Sequence, residues 1–387
     1  MTTYLLLSII CSLIVYSYLA DLVAQNTKIP AVLVLLLSGI GLRFLIDYLQ
    51  VKTVNFNLIL PALGTIGLIM IVFEGALELD YKPHKKTMIK QAFVAALSIL
   101  VLSTLLIAGI FFYFTQKPFN LCLLNAIPLT VISSAIAIPS VASLMPEQKE
   151  FIVYESSFSD ILGIMFFNFV ATNSTFDFNS VLHLGGETIS IVLISLLSCL
   201  GLLYLLGRIT KHVKFVLIIA LLILIYALSR LLHLPALVIV FVFGLFLRNV
   251  DLFKNGFFEH FFLYPRYNAD MEQLHQLSAE SAFLLRTFFF IIFGFTIEIS
   301  LLGTYEVIQY GLLVTVIMLI VRYALLRYIL KRNPTPEVFI TPRGLITILL
   351  FYSLTDAQHI LPSMSGVLLF VVLATSLVMS YGIIRNR

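Results

Sequence analysis

Charge is what this sequence has least of: Asp, Glu, Lys and Arg make up only 11% of its 387 residues, against roughly 25% in a soluble domain. With 60% of residues hydrophobic and a mean hydropathy of +1.05, no water-soluble fold could hide its own apolar surface. Tryptophan is missing altogether, so any interfacial aromatic belt has to come from tyrosine and phenylalanine. There are 3 cysteines, Cys11, Cys122 and Cys199, each alone in an apolar run, which excludes a disulfide framework or a thiolate metal centre. The seven histidines fall at loops or helix ends, so no metal site is expected beyond one for an alkali cation, and no cofactor. No stretch of glycine, proline or charge marks a linker, so residues 1–387 are expected to form a single membrane domain without a soluble nucleotide-binding or regulatory domain. The first apolar stretch starts at Tyr4 without a basic segment or an Ala-x-Ala site, and reads as a retained helix. The net charge of +4 is scattered over helix ends rather than gathered into a patch, which argues against nucleic acid as a partner.

What the sequence does have is apolar stretches of about 20 residues, each long enough to cross a hydrocarbon core. They predict an all-α polytopic membrane protein of about 13 spans, from Tyr4–Val23 to Ser365–Ile384. The fifth is placed at Asn120–Leu144, the sixth at Phe151–Thr172, the eleventh at Val307–Leu330 and the twelfth at Val338–Leu354. Basic residues divide unevenly between the two sets of loops. Lys28, Lys82, Lys85, Lys86, Lys90, Lys149, Arg208, Lys211, Lys214, Arg248, Lys254, Arg266, Arg327, Lys331, Arg332, Arg385 and Arg387 fall on one side; Arg43, Lys52, Lys117 and Arg230 fall on the other. Positive charge stays in the cytoplasm. This puts the C-terminus inside and the N-terminus outside a cell (inner or plasma) membrane.

The chain also repeats itself. Pro30-Ala31, Gly39 and Arg43 of the second span recur at identical spacing as Pro235-Ala236, Gly244 and Arg248 of the ninth. Ile71-Val72-Phe73 with Glu78 in the third recurs as Ile291-Ile292-Phe293 with Glu298 in the tenth. Both matches link spans seven apart, and an odd offset reverses the direction of crossing, as in the inverted repeats of secondary transporters. The repeats are placed at 1–172 and 212–387, with a linker helix at 187–208.

An ionisable residue inside a bilayer is expensive and marks function by default. The sixth span carries Glu155-Ser156-Ser157-Phe158-Ser159-Asp160-Ile161-Leu162-Gly163, where Glu155, Ser156, Ser159, Asp160 and Gly163 form one helical stripe. Asp160 is the candidate at which a proton and a dehydrated cation compete for the same oxygens, with Ser159, Ser156, Ser133 and Ser134 as candidate neutral ligands. The run Thr130 to Pro139 in the fifth span offers a break in the helix at its proline. Arg286, Arg322 and Arg343 are the basic residues within spans. Arg322 is the preferred partner for Glu155, since an unpaired buried ion is costly. Arg343-Gly344, after Thr341-Pro342, could organise a second unwound segment. Glu74, Glu78 and Asp80 read as an interfacial cluster facing Lys82, Lys85 and Lys86.

Phe73-Glu74-Gly75, Glu155-Ser156 through Ser159-Asp160, and Arg343-Gly344 resemble motifs of the monovalent cation/proton antiporter superfamily, most closely its NhaP and sodium/proton exchanger branch. The resemblance covers the whole chain and implies 13 helices in inverted repeats, crossed discontinuous helices five and twelve, a homodimer, and elevator-like alternating access. It implies exchange of Na+ or K+ for H+ at Asp160, with Glu155 paired to an eleventh-helix arginine, here Arg322. Ser159 stands where the family has asparagine or aspartate, which points to one-for-one, electroneutral exchange; a role in pH homeostasis is what the resemblance implies. Ser133-Ser134 stands where many members have Thr-Asp, which leaves the ion open. A sodium-coupled organic-anion symporter of similar fold and a Kef-like potassium efflux protein are the alternatives; an enzyme is not expected.

Overall fold

The computed structural model describes residues 3–27, 29–48, 59–141, 144–173, 178–208, 215–232, 234–253, 267–297 and 299–385. Lys28, Lys52, Lys211, Lys214, Lys254, Arg266, Glu298 and Arg387, and the start of the second repeat at 212, lie outside them. Among the described residues the regular structure is entirely helical: α1 (Thr3–Thr27), α2 (Ala31–Tyr48), α3 (Ile59–Leu77), α4 (Lys86–Thr115), α5 (Phe119–Thr130), α6 (Ser134–Ser140), α7 (Pro146–Thr172), α8 (Phe178–Arg208), α9 (Phe215–Leu231), α10 (Ala236–Arg248), α11 (Tyr267–Thr296), α12 (Tyr305–Ala324), α13 (Leu345–Tyr352) and α14 (Met364–Arg385). They follow the expected spans one for one, the fifth being split into α5 and α6. Three expected starts are displaced by seven residues or more, the twelfth helix among them, which begins at Leu345 rather than Val338. The tenth helix begins at Tyr267 rather than Ser281, because a polar first half can be helical outside the lipid, where hydropathy does not register it. The seventh begins at Phe178, upstream of the expected 187, for the same reason.

The repeated motifs do the same work twice. Pro30 and Pro235 each sit just before a helix and accept its first-turn bond, from Leu33 and Val238, at 2.9 Å. Gly39 lets α2 approach the α11 backbone so closely that a Cβ would clash with the Ile291 carbonyl, and a Cβ on Gly244 of α10 would lie 2.8 Å from Ala76 of α3. Arg43 donates to the Thr296 and Ile297 carbonyls at 3.3 and 2.8 Å, at the negative end of α11. Its counterpart Arg248 lies 3.7 Å from Asp80, just beyond the same end of α3. The pairs α2/α11 and α3/α10 are therefore equivalent under exchange of the repeats.

Packing separates two bundles. One joins α1, α2, α3, α8, α9, α10 and α11; the other joins α4, α5, α6, α7, α12, α13 and α14. Contacts between them are sparse and involve α3, α10 and α11 on one side and α6, α7 and α13 on the other. The site lies at that seam.

Candidate ion site at the crossing of two interrupted helices

In an unbroken helix the amides of Ser133 and Ser134 would bond the carbonyls of Leu129 and Thr130. Here every one of these groups finds another partner. Ser133 N donates to the Pro342 carbonyl at 2.9 Å, and Ser134 N to Asp160 Oδ2 at 3.1 Å. The preceding amide, Ile132 N, donates to Ser159 Oγ at 2.9 Å. The freed Leu129 and Thr130 carbonyls accept from Arg343 Nε and Nη2 at 2.8 and 3.0 Å, while Nη1 donates to Thr341 O at 2.6 Å. Arg343 N donates to Thr375 Oγ1 on α14 at 3.2 Å. The buried guanidinium thus stands in for missing amides and lies at the negative end of α5. Residues 340–344 are non-helical in turn, and α13 starts only at Leu345.

The expected break at Pro139 is wrong in position. The chain unwinds at Val131–Ser133, and Pro139 sits inside α6. The tertiary partners around 131–133, rather than the proline, hold the helix open. Two glycines permit the crossing. A Cβ on Gly344 would lie 2.7 Å from Ser133 Oγ and 2.6 Å from Ile136, and one on Gly163 would run into the Val131 side chain.

Asp160 lies on α7 against this crossing, 7% exposed. Its Oδ2 accepts from both the amide and the hydroxyl of Ser134, while Oδ1 has no protein partner. The cavity beside it measures about 20 Å³ and is lined by Ser134, Ser157, Asp160 and apolar side chains of α3, α7, α10 and α13. One water-sized occupant needs at least about 10–15 Å³. The space therefore takes a single water or bare alkali ion. A second cavity of about 810 Å³ reaches from Thr172, Arg230 and Tyr352 down to Ile164 and Leu237, which line both cavities.

The other expected ligands fall around this centre. Ser133 Oγ is buried without a partner. Ser159 braces the unwound strand through Ile132. Ser156 does not line the cavity and donates to its own helix at Ile152 O, 2.7 Å away. Ser157 lines it instead, donating to Val153 O at 2.8 Å. The helical stripe placed Ser156 with Asp160 and left Ser157 out, and the structure reverses that choice: the two side chains leave the helix about 100° apart, and the cavity lies on the side of Ser157.

Glu155 and Arg322 form the expected pair. Both nitrogens of the guanidinium fork lie 2.7 Å from the two carboxylate oxygens, with exposures of 0% and 1%. Arg322 Nε adds a bond to the Glu337 carbonyl at 2.8 Å. An arginine snorkelling to the interface would not be fully buried.

The expectation that Glu74 belongs with the lysines is overturned. Glu74 Oε2 lies 3.5 Å from Arg286 Nη2 on α11, both side chains mostly buried. Asp80 pairs with Lys82 and Arg248, and Lys85 with Glu150. Arg286 is the residue that sequence reasoning noted without placing. A signal was available in Pro139: a proline within a helix orphans the carbonyl four residues earlier, Ala135, and a donor has to answer it.

Comparison with known proteins fits this architecture. A structure of the sodium proton antiporter MjNhaP1 from Methanocaldococcus jannaschii, at pH 8, superposes with a TM-score of 0.72 over 98% of this chain and 96% of that one, at 21% identity. An electron-microscopy structure of the same antiporter gives a TM-score of 0.71 over 98% and 95%, at 18% identity. At that identity the likeness establishes the fold alone. No curated protein matches the sequence. The sequence profile described as sodium/hydrogen exchanger, transmembrane, matches residues 9–384. The chain therefore belongs to the sodium/hydrogen exchanger family, and is a multi-pass membrane transporter rather than an enzyme.

Proposed function

We propose that this protein exchanges one monovalent cation, sodium in the first instance, for one proton, with Asp160 carrying either in turn. The observation that carries the reading is that Asp160, whose Oδ1 is buried without a partner, lines a cavity of one ion's size at the seam between two bundles. A carboxylate with one oxygen held by Ser134 and one free can take a proton or complete the shell of a dehydrated cation. Hydroxyls of Ser134 and Ser157 line the same cavity as candidate neutral ligands, and Ser133 lies in the adjoining unwound segment. Of the other carboxylates in this region, Glu155 and Glu74 already have arginines. Asp160 is read as the exchanging acid, which supports an electroneutral cycle. The cavity's size favours a bare ion over an organic anion.

Sparse contacts between the bundles suit a rigid movement of one past the other that carries Asp160 from one face to the other. Charge asymmetry in the loops supports an external N-terminus and a cytoplasmic C-terminus in the cell membrane. Family resemblance supports a homodimer. The experiment is reconstitution in proteoliposomes, with dissipation of a pH gradient followed on adding sodium, potassium or lithium in turn. Wild-type protein should respond to sodium, and Asp160→Asn, which can neither bind a proton nor offset ion dehydration, should not. Equal rates in the two would reject the assignment.

A further inference from the structure

Pro139 has no amide hydrogen, so the Ala135 carbonyl of α6 lacks its helical partner. Arg286 Nη1, from α11 in the other bundle, donates to that carbonyl at 2.9 Å. Its second nitrogen, Nη2, faces Glu74 of α3, also in the other bundle. Ala135 directly follows Ser134, the residue whose amide and hydroxyl both hold Asp160. The guanidinium therefore grips the short helix one residue from the ion site, and does so across the seam along which the bundles meet.

We propose that Arg286 is a positioning residue for ion binding, a latch that uses the carbonyl freed by Pro139 to hold Ser134 in register with Asp160. This rests on Asp160 being the ion site, and extends it to a residue that touches neither ion nor acid. The latch has a specific character. Its donor belongs to the bundle of α3 and α11 and its acceptor to the bundle of Asp160, so relative movement of the two has to break it. Among the described residues Tyr154 makes another such hydrogen bond, to the Asp80 carbonyl at 2.6 Å. The large cavity opens towards Thr172 and Arg230, at the opposite end of α7 from Tyr154. The described conformation is thus fastened by Tyr154 towards the end of the protein away from that cavity, and by Arg286 beside the site.

The proline makes the idea testable, because an alanine at 139 restores the missing N–H. Four proteins are compared in sodium-driven exchange: wild type, Arg286→Lys, Pro139→Ala/Arg286→Lys, and Pro139→Ala/Arg286→Gln. Lysine keeps the charge opposite Glu74 but loses the fork that serves two acceptors at once. Arg286→Lys should raise the apparent KM for sodium roughly tenfold, the size expected for one buried charged hydrogen bond, with a smaller change in maximal rate. Adding Pro139→Ala should recover most of that loss, since the backbone then satisfies Ala135 itself. A merely structural role for the Glu74 pair would give no rescue by a change at 139. Arg286→Lys with wild-type KM, or a double variant no better than Arg286→Lys, overturns the proposal. Should the lysine variant fail to fold alone, folding and near-wild-type KM in either double variant still supports the latch, and misfolding of both rejects it. Wild-type protein that moves no protons with sodium would instead reject the reading of the site.

Discussion

Removal of Glu155 and Arg322, singly and together, tests whether this pair is a core support or part of the transport cycle. Glu155→Leu leaves a guanidinium of 0% exposure without the two oxygens that lie 2.7 Å away. Breaking a buried pair from one side costs about 3–5 kcal/mol, because the surviving charge has neither water nor partner. Arg322→Met leaves the carboxylate in the same position and should cost a similar amount. With both replaced, no buried charge remains, and the main loss is the donor to the Glu337 carbonyl, roughly 1–3 kcal/mol for an orphaned buried acceptor. The double variant should therefore be more stable than either single one or close to it, with a favourable coupling of at least about 3 kcal/mol. Denaturant unfolding in detergent, followed by circular dichroism, measures the cycle. Additive losses would refute the pairing argument. A double variant that folds but has lost all exchange would show that the pair does more than hold α7 to α12.

Three further outcomes follow from the site. Asp160→Glu should retain exchange at a reduced rate with a shifted preference among lithium, sodium and potassium, because a methylene is added beside a cavity of about 20 Å³; unchanged ion preference would argue that the cavity does not select. Gly344→Ala should slow exchange by roughly tenfold or more, since its Cβ would sit 2.7 Å from Ser133 Oγ and push the crossing strands apart; wild-type rates would show that the crossing can open at no cost. Exchange in proteoliposomes clamped with potassium and valinomycin should be indifferent to membrane potential, which acts with about 2.3 kcal/mol per net charge per 100 mV. A potential-dependent rate would point to a second titrating group, with Glu74 the first to examine.

Much of this molecule was set by composition and spacing. A chain with 11% charged residues has to use lipid as its solvent, and backbone polar groups in lipid are satisfied within helices, so apolar run lengths dictated the thirteen spans. The spacing of Pro30, Gly39 and Arg43, copied at Pro235, Gly244 and Arg248, made the inverted repeat legible because the same residues serve equivalent helix crossings. Asp160 stood out because an ionised group in that setting is too expensive to be idle, and Glu155 demanded a cation for the same reason. What tertiary structure alone decided is where the fifth helix opens. Local propensity pointed to Pro139, yet the chain unwinds at Val131–Ser133, because Arg343, Pro342, Ser159 and Asp160, distant in sequence, supply the bonds that the helix gives up. The same holds for Glu74. Its charge was evident, but its partner was chosen by the packing of α11 against α3, which brings Arg286 closer than any lysine of the adjoining loop. Partners of buried polar groups depend on which helices cross, and no local pattern carries that information.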